Sequence, residues 1–328
     1  MEPNFKELGS QATYEKVESL DCSVKHPEEV ARVLLEGRPV HLKNCRFGSC
    51  LENWSLTYLA EKLNDYEVVI HESDQPELNF MNKNFKYSTC KFQEFVNKLQ
   101  DPSRCVYYRS ANVDPRAKKP ARIEDDLRPL KDDLEPPCFV PSNESLYYSS
   151  VLRIASSNVQ IWTHFDLYDN ILCQTVGRKR VILIGPDETQ YLYIKGDKSP
   201  VNNFDDHEQC VREFPLIARA KLYKVHLEPR DALYIPALWW HNIRTIPEDD
   251  RVSGYSIGFN IFWRDKNIET HYAIGDVYGN KNLKPFDAAL TNIDKALKHI
   301  EQLPGKYKRF HQLMLLERLK ARFLEDIT

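Results

Sequence analysis

Between Leu146 and Trp263 the chain breaks into short β-rich runs: YYSSVLRI, VQIWTHF, NILCQTV, KRVILI, KLYKVHL, ALYI, WWHNI and YSIGFNIFW. Gly177, Pro186, Pro229 and the Pro236-Ala237 pair separate them, and glycine and proline are residues that end strands and open turns. Strands this short must bury a face against a second layer. The pattern therefore predicts a mainly β fold with α additions, built on a jelly roll or related double-stranded β-helix barrel.

The flanks read differently. Residues 1–141 mix helix and strand. A helix is expected at Glu28–Glu36, a strand at Val40–Leu42, a Ser55-capped helix ending near Leu63, a strand at Glu67–His71 and a helix over Lys91–Leu99. Residues 114–141, DPRAKKPARIEDDLRPLKDDLEPPCFVP, are rich in charge and proline and read as a long surface excursion. The barrel is expected over residues 142–265. Beyond it, Ala289, Ile293, Ala296, Leu297 and Ile300 form one helical stripe. Phe310, Leu313, Met314, Leu316, Leu319 and Phe323 form another after the Pro304-Gly305 break. Residues 266–328 are expected to bury these stripes against each other and against a second copy of the chain, giving a homodimer.

With 328 residues, 42% of them hydrophobic, the chain can bury one sizeable core and a smaller unit. It has no apolar run of about 18 residues, so no membrane span is expected. The polar start MEPNFKELGSQATYEKVESLD lacks the apolar centre of a signal peptide, and a cytoplasmic protein is the expectation. The eight cysteines are scattered without a C-x-x-C pair, which predicts reduced, mostly buried thiols. The net charge of −3 argues against a general nucleic-acid coat and leaves room for a local basic patch.

Candidate chemistry concentrates in WTHFDLYDN, residues 162–170. On a strand over Val159–Asp166, His164 and Asp166 point to one face and Phe165 to the other, so both can reach one ion from a stiff backbone. IPALWWHNI supplies His241 from a distant run. Two histidines and a carboxylate on one side of an ion leave three positions open, the donor set of non-haem Fe(II) oxygenases. The plainer reading makes both histidines hydrogen-bonded core residues. His226-Leu227-Glu228 has the same spacing but runs into Pro229 and is expected to be solvated, whereas His299 and Glu301 diverge on a helix.

Gly177 is expected to turn a hairpin between the strand Asn170–Val176 and the run that follows it. On that second strand Lys179, Val181 and Leu183 share the inward face, and Arg178 and Arg180 the other. A buried ammonium costs on the order of several kcal/mol unless an anion meets it. An interior Lys179 beside a metal therefore asks for a dicarboxylate that bridges both. The competing reading takes the ammonium out to solvent at the strand end.

T-H-F-D, Lys179 fifteen positions after His164, and DALYIPALWWHNI together resemble the JmjC-type 2-oxoglutarate oxygenases. LYDNILCQTVGRKRVIL, TQYLYIKGDKS, GFNIFW and VYGNKN are similar to the JmjC hydroxylases of tRNA wybutosine synthesis, which act on the hypermodified guanosine beside the anticodon of phenylalanine tRNA. The similarity runs from about residue 39 into the C-terminal helices. It implies that His164, Asp166 and His241 ligate Fe(II), in a hydroxylation that consumes 2-oxoglutarate and O2. It implies that Lys179 holds the distal carboxylate of 2-oxoglutarate, helped by Tyr107 or its neighbour Tyr108. Asn170 is implied near the metal-bound end of that molecule, with Asn260 assisting. In two places the chain departs from relatives: Arg230-Asp231 replaces a Gly-Asp turn, and Ile161 stands where some carry threonine.

A tRNA substrate calls for positive charge near the barrel mouth. Arg116, Lys118, Lys119 and Arg122 cluster in the excursion, and Lys306, Lys308 and Arg309 near the last helices. Glu124, Asp125 and Asp126 follow the first cluster, and simple solvation is the competing reading. Trp239, Trp240, Tyr147, Tyr148 and Tyr168 either stack on a bulky base or pack in the core. Three functions are in view: an RNA hydroxylase, a protein side-chain hydroxylase and a non-catalytic binding barrel. The complete ligand set counts against the third.

Overall fold

The structure, a computed structural model, describes residues 14–247 and 254–325. Most of the polar N-terminal stretch lies outside them. Among the described residues are fifteen strands. They are β1 (Tyr14–Lys16), β2 (Glu18–Asp21), β3 (Val40–Lys43), β4 (Glu67–Ser73), β5 (Glu77–Leu78), β6 (Phe85–Lys91) and β7 (Cys105–Arg109). The barrel region adds β8 (Tyr147–Ser156), β9 (Gln160–His164), β10 (Asp169–Val176), β11 (Arg178–Ile184), β12 (Leu222–Leu227), β13 (Ala232–Ile235), β14 (Trp240–Ile246) and β15 (Tyr255–Trp263). Helices are α1 (Pro27–Leu34), α2 (Cys50–Asn53), α3 (Leu56–Leu63), α4 (Phe92–Leu99), α5 (Ile123–Asp126), α6 (His207–Glu213), α7 (Lys284–Glu301) and α8 (Gly305–Glu325).

The strands form a six-stranded sheet, β1-β12-β11-β14-β9-β5, and a nine-stranded sheet, β2-β3-β13-β10-β15-β8-β7-β4-β6. Between them Leu172, Val181, Leu183, Val225, Leu227, Leu233 and Ile235 form one buried cluster. The fold is thus mainly β with helical additions, and the eight β-rich runs become β8–β15. The N-terminal elements do more than flank the barrel, because β2, β3, β4, β6 and β7 extend its larger sheet. On that sheet's other face, Phe259 meets Phe47 and Trp54 edge-on at 5.7 and 5.4 Å, the T-shaped arrangement aromatic quadrupoles prefer.

Four expectations need correction. Gly177 does not turn a hairpin: β10 pairs with β13 and β15, while β11 pairs with β12 and β14. The chain changes sheets there, with Gly177 at φ +71° and no room for a side chain, since a Cβ would stand 2.3 Å from Tyr255 O. Residues 114–141 are not simply a surface excursion, because Ile123, Leu127, Leu130 and Val140 are buried in the main core. The outward face of β11 is also covered: Ile182 and Ile184 are buried with Phe204, Ile217 and Trp240. Finally, Cys22 and Cys45 are joined in a disulfide, whereas Cys50, Cys90, Cys105, Cys138, Cys173 and Cys210 are free. Parallel pairing of β2 with β3 matches Asp21 to Lys43, which brings both cysteines out of their strands side by side.

Two compact units divide the chain: one comprises residues up to 269 together with 275–280, the other 270–274 and 281–328. In the second, α7 and α8 leave Leu290, Ile293, Leu297, Phe310, Leu313, Met314, Leu316 and Phe323 exposed. No described helix is long and apolar enough to cross a membrane.

Gly177→Ala should destabilise the protein by about 2–4 kcal/mol, combining left-handed backbone strain with the overlap at Tyr255. A fall in the urea midpoint at unchanged slope would be the readout; an unchanged midpoint would refute this account of the sheet crossing.

Candidate active site

β9 and β14 pair antiparallel with His164 directly opposite His241, and the two ring centroids lie 4.3 Å apart. Contrary to the expected strand over Val159–Asp166, Asp166 is not on the strand. β9 ends at His164, and Asp166 lies in the irregular turn beyond, where its carbonyl accepts the Leu238 N–H at 2.8 Å. Its Oδ2 stands 3.6 Å from His241 Nε2. His164, Asp166 and His241 each offer one ligand atom within 4.8 Å of the others, and no second such group of three occurs among the described residues. His226 and Glu228 are both exposed.

The histidines are oriented as ligands. His164 Nδ1 lies 2.8 Å from Trp162 O, and His241 Nδ1 lies 3.0 Å from Trp239 O. A carbonyl only accepts, so each Nδ1 carries the proton and each Nε2 keeps its lone pair free. Burial holds both imidazoles below the usual histidine range, with His241 adding to the effect at His164. Burial also raises the Asp166 carboxyl above its usual range. Two neutral imidazoles and a poorly solvated carboxyl fit a divalent cation, which would supply the missing charge complement.

Lys179 projects into the same cavity, which is lined by both sheets. Only 5% of the lysine is exposed, and its Nζ has no hydrogen-bond partner. Burial, with the Arg153 guanidinium adding, pushes its pKa down to about 7. Gly258 makes room for it: a Cβ there would stand 2.9 Å from Nζ and 2.5 Å from Cys173 O. An orphaned ammonium sharing a cavity with a candidate ligand triad fits a small dicarboxylate such as 2-oxoglutarate.

The remaining predicted residues form one hydrogen-bonded chain, threaded by a residue the sequence reading missed. Arg153 Nη1 donates to the Tyr107 hydroxyl, and Arg153 Nε donates to Asn260 Oδ1 at 2.7 Å. Asn260 Nδ2 donates to Asn170 Oδ1 at 2.9 Å. Tyr107, Arg153 and Asn260 line the cavity, whereas Asn170 stands behind Asn260. Tyr108 faces the opposite side of the sheet, with its ring 5.6 Å from that of Phe95. Thr245 and Ser256 also line the cavity, with their hydroxyls 3.2 Å apart.

None of Trp239, Trp240, Tyr147, Tyr148 and Tyr168 lines it. Trp240 is core, and Tyr148 and Tyr168 stack face to face at 4.0 Å. Of the departures from relatives, Ile161 is a cavity wall. Arg230 occupies the left-handed region at φ +75°, and the Asp231 carboxylate accepts the Glu228 N–H at 3.0 Å, so the turn forms without glycine.

Two apposed sheets with two histidines and an aspartate between them define a cupin-type barrel whose triad could hold a metal. The cupin-like domain family matches residues 26–269. tRNA wybutosine-synthesizing protein 5 of Homo sapiens is 37% identical over 283 residues, covering 84% of this chain and 86% of that one. Its Danio rerio namesake is 35% identical over 294 residues, with 87% and 86% covered. tRNA wybutosine-synthesizing protein 4 of Neurospora crassa is 32% identical over 304 residues, covering 91% of this chain but only 24% of its own length. The chain belongs to the cupin-like family, in the group that includes tRNA wybutosine-synthesizing protein 5.

Because Lys179 ionises less readily folded than unfolded, its charge opposes folding. That opposition is full below about pH 7 and fades as the pH rises toward 10.5. Lys179→Met should therefore stabilise the ligand-free protein by on the order of a few kcal/mol near pH 6, with the gain vanishing by about pH 10. Chemical denaturation across that range would test it; a variant less stable than wild type at pH 6 would overturn it.

Proposed function

We propose that this protein is an Fe(II)- and 2-oxoglutarate-dependent hydroxylase of the wybutosine-type guanosine in phenylalanine tRNA, working in the cytoplasm as a homodimer. The observation that carries the reading is the unpaired Lys179 ammonium in one cavity with the His164–Asp166–His241 triad. Relatives named for wybutosine synthesis and aligned over 84–87% of the chain direct it toward tRNA rather than a protein side chain.

His164, Asp166 and His241 would hold the iron, and Lys179 would hold the distal carboxylate of 2-oxoglutarate. Together with O2, these groups supply the oxidising power that places a hydroxyl on a substrate carbon, releasing succinate and CO2. The protein's own part is positioning. Trp162 O and Trp239 O fix the two imidazoles, and Arg153 holds Tyr107 and Asn260 toward the cavity. Ile161, Leu172 and Ile243 keep water from its walls. Lys179 is partly neutral above pH 7 and must be protonated to meet a carboxylate, so cosubstrate binding takes up a proton there. The complete His164–Asp166–His241 ligand set argues against the non-catalytic reading.

In the basic excursion Arg122 is already engaged by Glu144 at 2.8 Å and Tyr147 O at 2.9 Å. The exposed Arg116, Lys118 and Lys119 are therefore the side chains available to phosphates. The apolar residues exposed on α7 and α8 are the contacts of the proposed dimer.

Incubated with Fe(II), 2-oxoglutarate and tRNA from cells lacking it, the protein should add the mass of one oxygen to that guanosine. His164→Ala should abolish the product, and Lys179→Ala should lower it by about 100-fold or more. A hydroxylated peptide without a tRNA product would overturn the reading. Sedimentation should give a dimer, and Phe310→Asp with Leu313→Asp a folded monomer; a monomeric wild type would refute the dimer.

A further inference from the structure

The inner face of the larger sheet continues past the cavity toward its β6 edge. Tyr87 on β6, His71 on β4, Tyr107 on β7 and Ala155 on β8 are successive cross-strand partners. Tyr107 and Ala155 line the cavity. The His71 ring lies 5.3 Å from that of Tyr107 and 4.7 Å from that of Tyr87. Yet Tyr87 is 55% exposed. An aromatic row thus runs from solvent to the candidate active site.

A second exposed ring packs against a neighbour of the cavity residue Arg153. Tyr278 is 60% exposed, and the Arg109 guanidinium lies 5.2 Å from its ring centre. Arg109 is the cross-strand partner of Arg153, a cavity residue, and it acts electrostatically on Asp166's side of the site. The Tyr87 phenol lies within electrostatic reach of that of Tyr278. The turn carrying Tyr278 is held from below. Asp276 Oδ1 accepts the N–H groups of Tyr278, Gly279 and Asn280 at 3.3, 2.9 and 3.3 Å. Gly279 O accepts the Leu167 N–H at 3.2 Å, which ties the turn to the residue after Asp166. Gly279 itself, at φ +78°, sits where a Cβ would come within 2.8 Å of the Tyr168 ring.

Resting on the tRNA reading above, we propose that Tyr278 and Tyr87 form a stacking clamp that takes the unstacked purine base of the substrate at the cavity mouth. Both rings are exposed, fixed by groups the metal site does not use, and continuous with its walls. Arg109 occupies one face of Tyr278 and withdraws electron density from the ring, favouring an electron-rich base on the other face. Arg109 and Arg153 also make the mouth positive, which suits a polyanion. A base drawn from its loop loses its neighbours, and an aromatic ring replaces them without demanding a sequence.

The test uses the metal-free, full-length protein and a tRNA anticodon stem–loop, with binding followed by fluorescence anisotropy of the labelled RNA. A matched loop is abasic at the position 3′ to the anticodon. Tyr278→Ala and Tyr87→Ala should each weaken binding of the intact loop by about tenfold. Both should leave binding of the abasic loop at the wild-type level, and Tyr278→Phe should retain full affinity. Equal losses on both RNAs, or no loss on the intact one, would overturn the clamp. If wild-type protein hydroxylates tRNA while the alanine variants bind normally, only the clamp fails; if it neither binds nor hydroxylates tRNA, the tRNA reading itself fails.

Discussion

A lysine ammonium enclosed between two β-sheets, with no hydrogen-bond partner, is an expensive thing to fold around. Most buried charges are paired because the loss of hydration outweighs packing gains. Here the chain keeps Lys179 inside and spends Gly258 to make room for it. The nearest charged neighbours do not help, since Arg153 is another cation. The barrel's own side chains therefore leave that charge uncompensated, and a bound counter-ion would offset it. The same holds for the triad, where two imidazoles are fixed with their Nε2 atoms free and a carboxyl stands poorly solvated beside them.

These two incomplete sets share one cavity because of where the chain changes sheets. β9, β11 and β14 belong to the smaller sheet and carry His164, Lys179 and His241, while β8, β10 and β15 belong to the larger and carry Arg153, Asn170 and Asn260. Gly177 is the crossing point between β10 and β11. Its left-handed backbone lets Asn170 and Lys179, nine positions apart in sequence, end in opposite sheets. A hairpin would have placed them in one sheet. The hydrogen-bonded chain from Tyr107 through Arg153 to Asn260 and Asn170 then fixes the larger sheet's contribution.

Much of this was legible in the sequence, for physical reasons. The eight β-rich runs kept their identity because turn residues bound them, and Ser55 capped its helix as its position indicated, accepting the Tyr58 N–H. What failed to show were features that depend on tertiary cover. β8 is buried along nearly all its length, so no in–out alternation distinguished Arg153 as cavity-facing. Charge and proline in residues 114–141 hid the helical spacing of Ile123, Leu127, Leu130 and Leu134, the one signal that could have revealed their burial. Tyrosine packs equally well in cores and at rims, so nothing local separated Tyr87 and Tyr278 from Tyr148 and Tyr168.

Charge sorts the molecule in the same way. Its overall balance is slightly negative, at −3, yet Lys179 and Arg153 line the cavity with Asp166, and Arg109 stands beside Arg153. A divalent metal and a dicarboxylate would cancel one another there, which leaves the excess positive charge of Arg153 and Arg109 directed outward. A neutral peptide gains little from such a field, whereas a phosphodiester chain is drawn to it and then held by whatever shape-specific contacts the rim provides. A local field of this kind, rather than the net charge of the chain, would favour a polyanionic substrate, and the fold sets Arg109 and Arg153 side by side on β7 and β8.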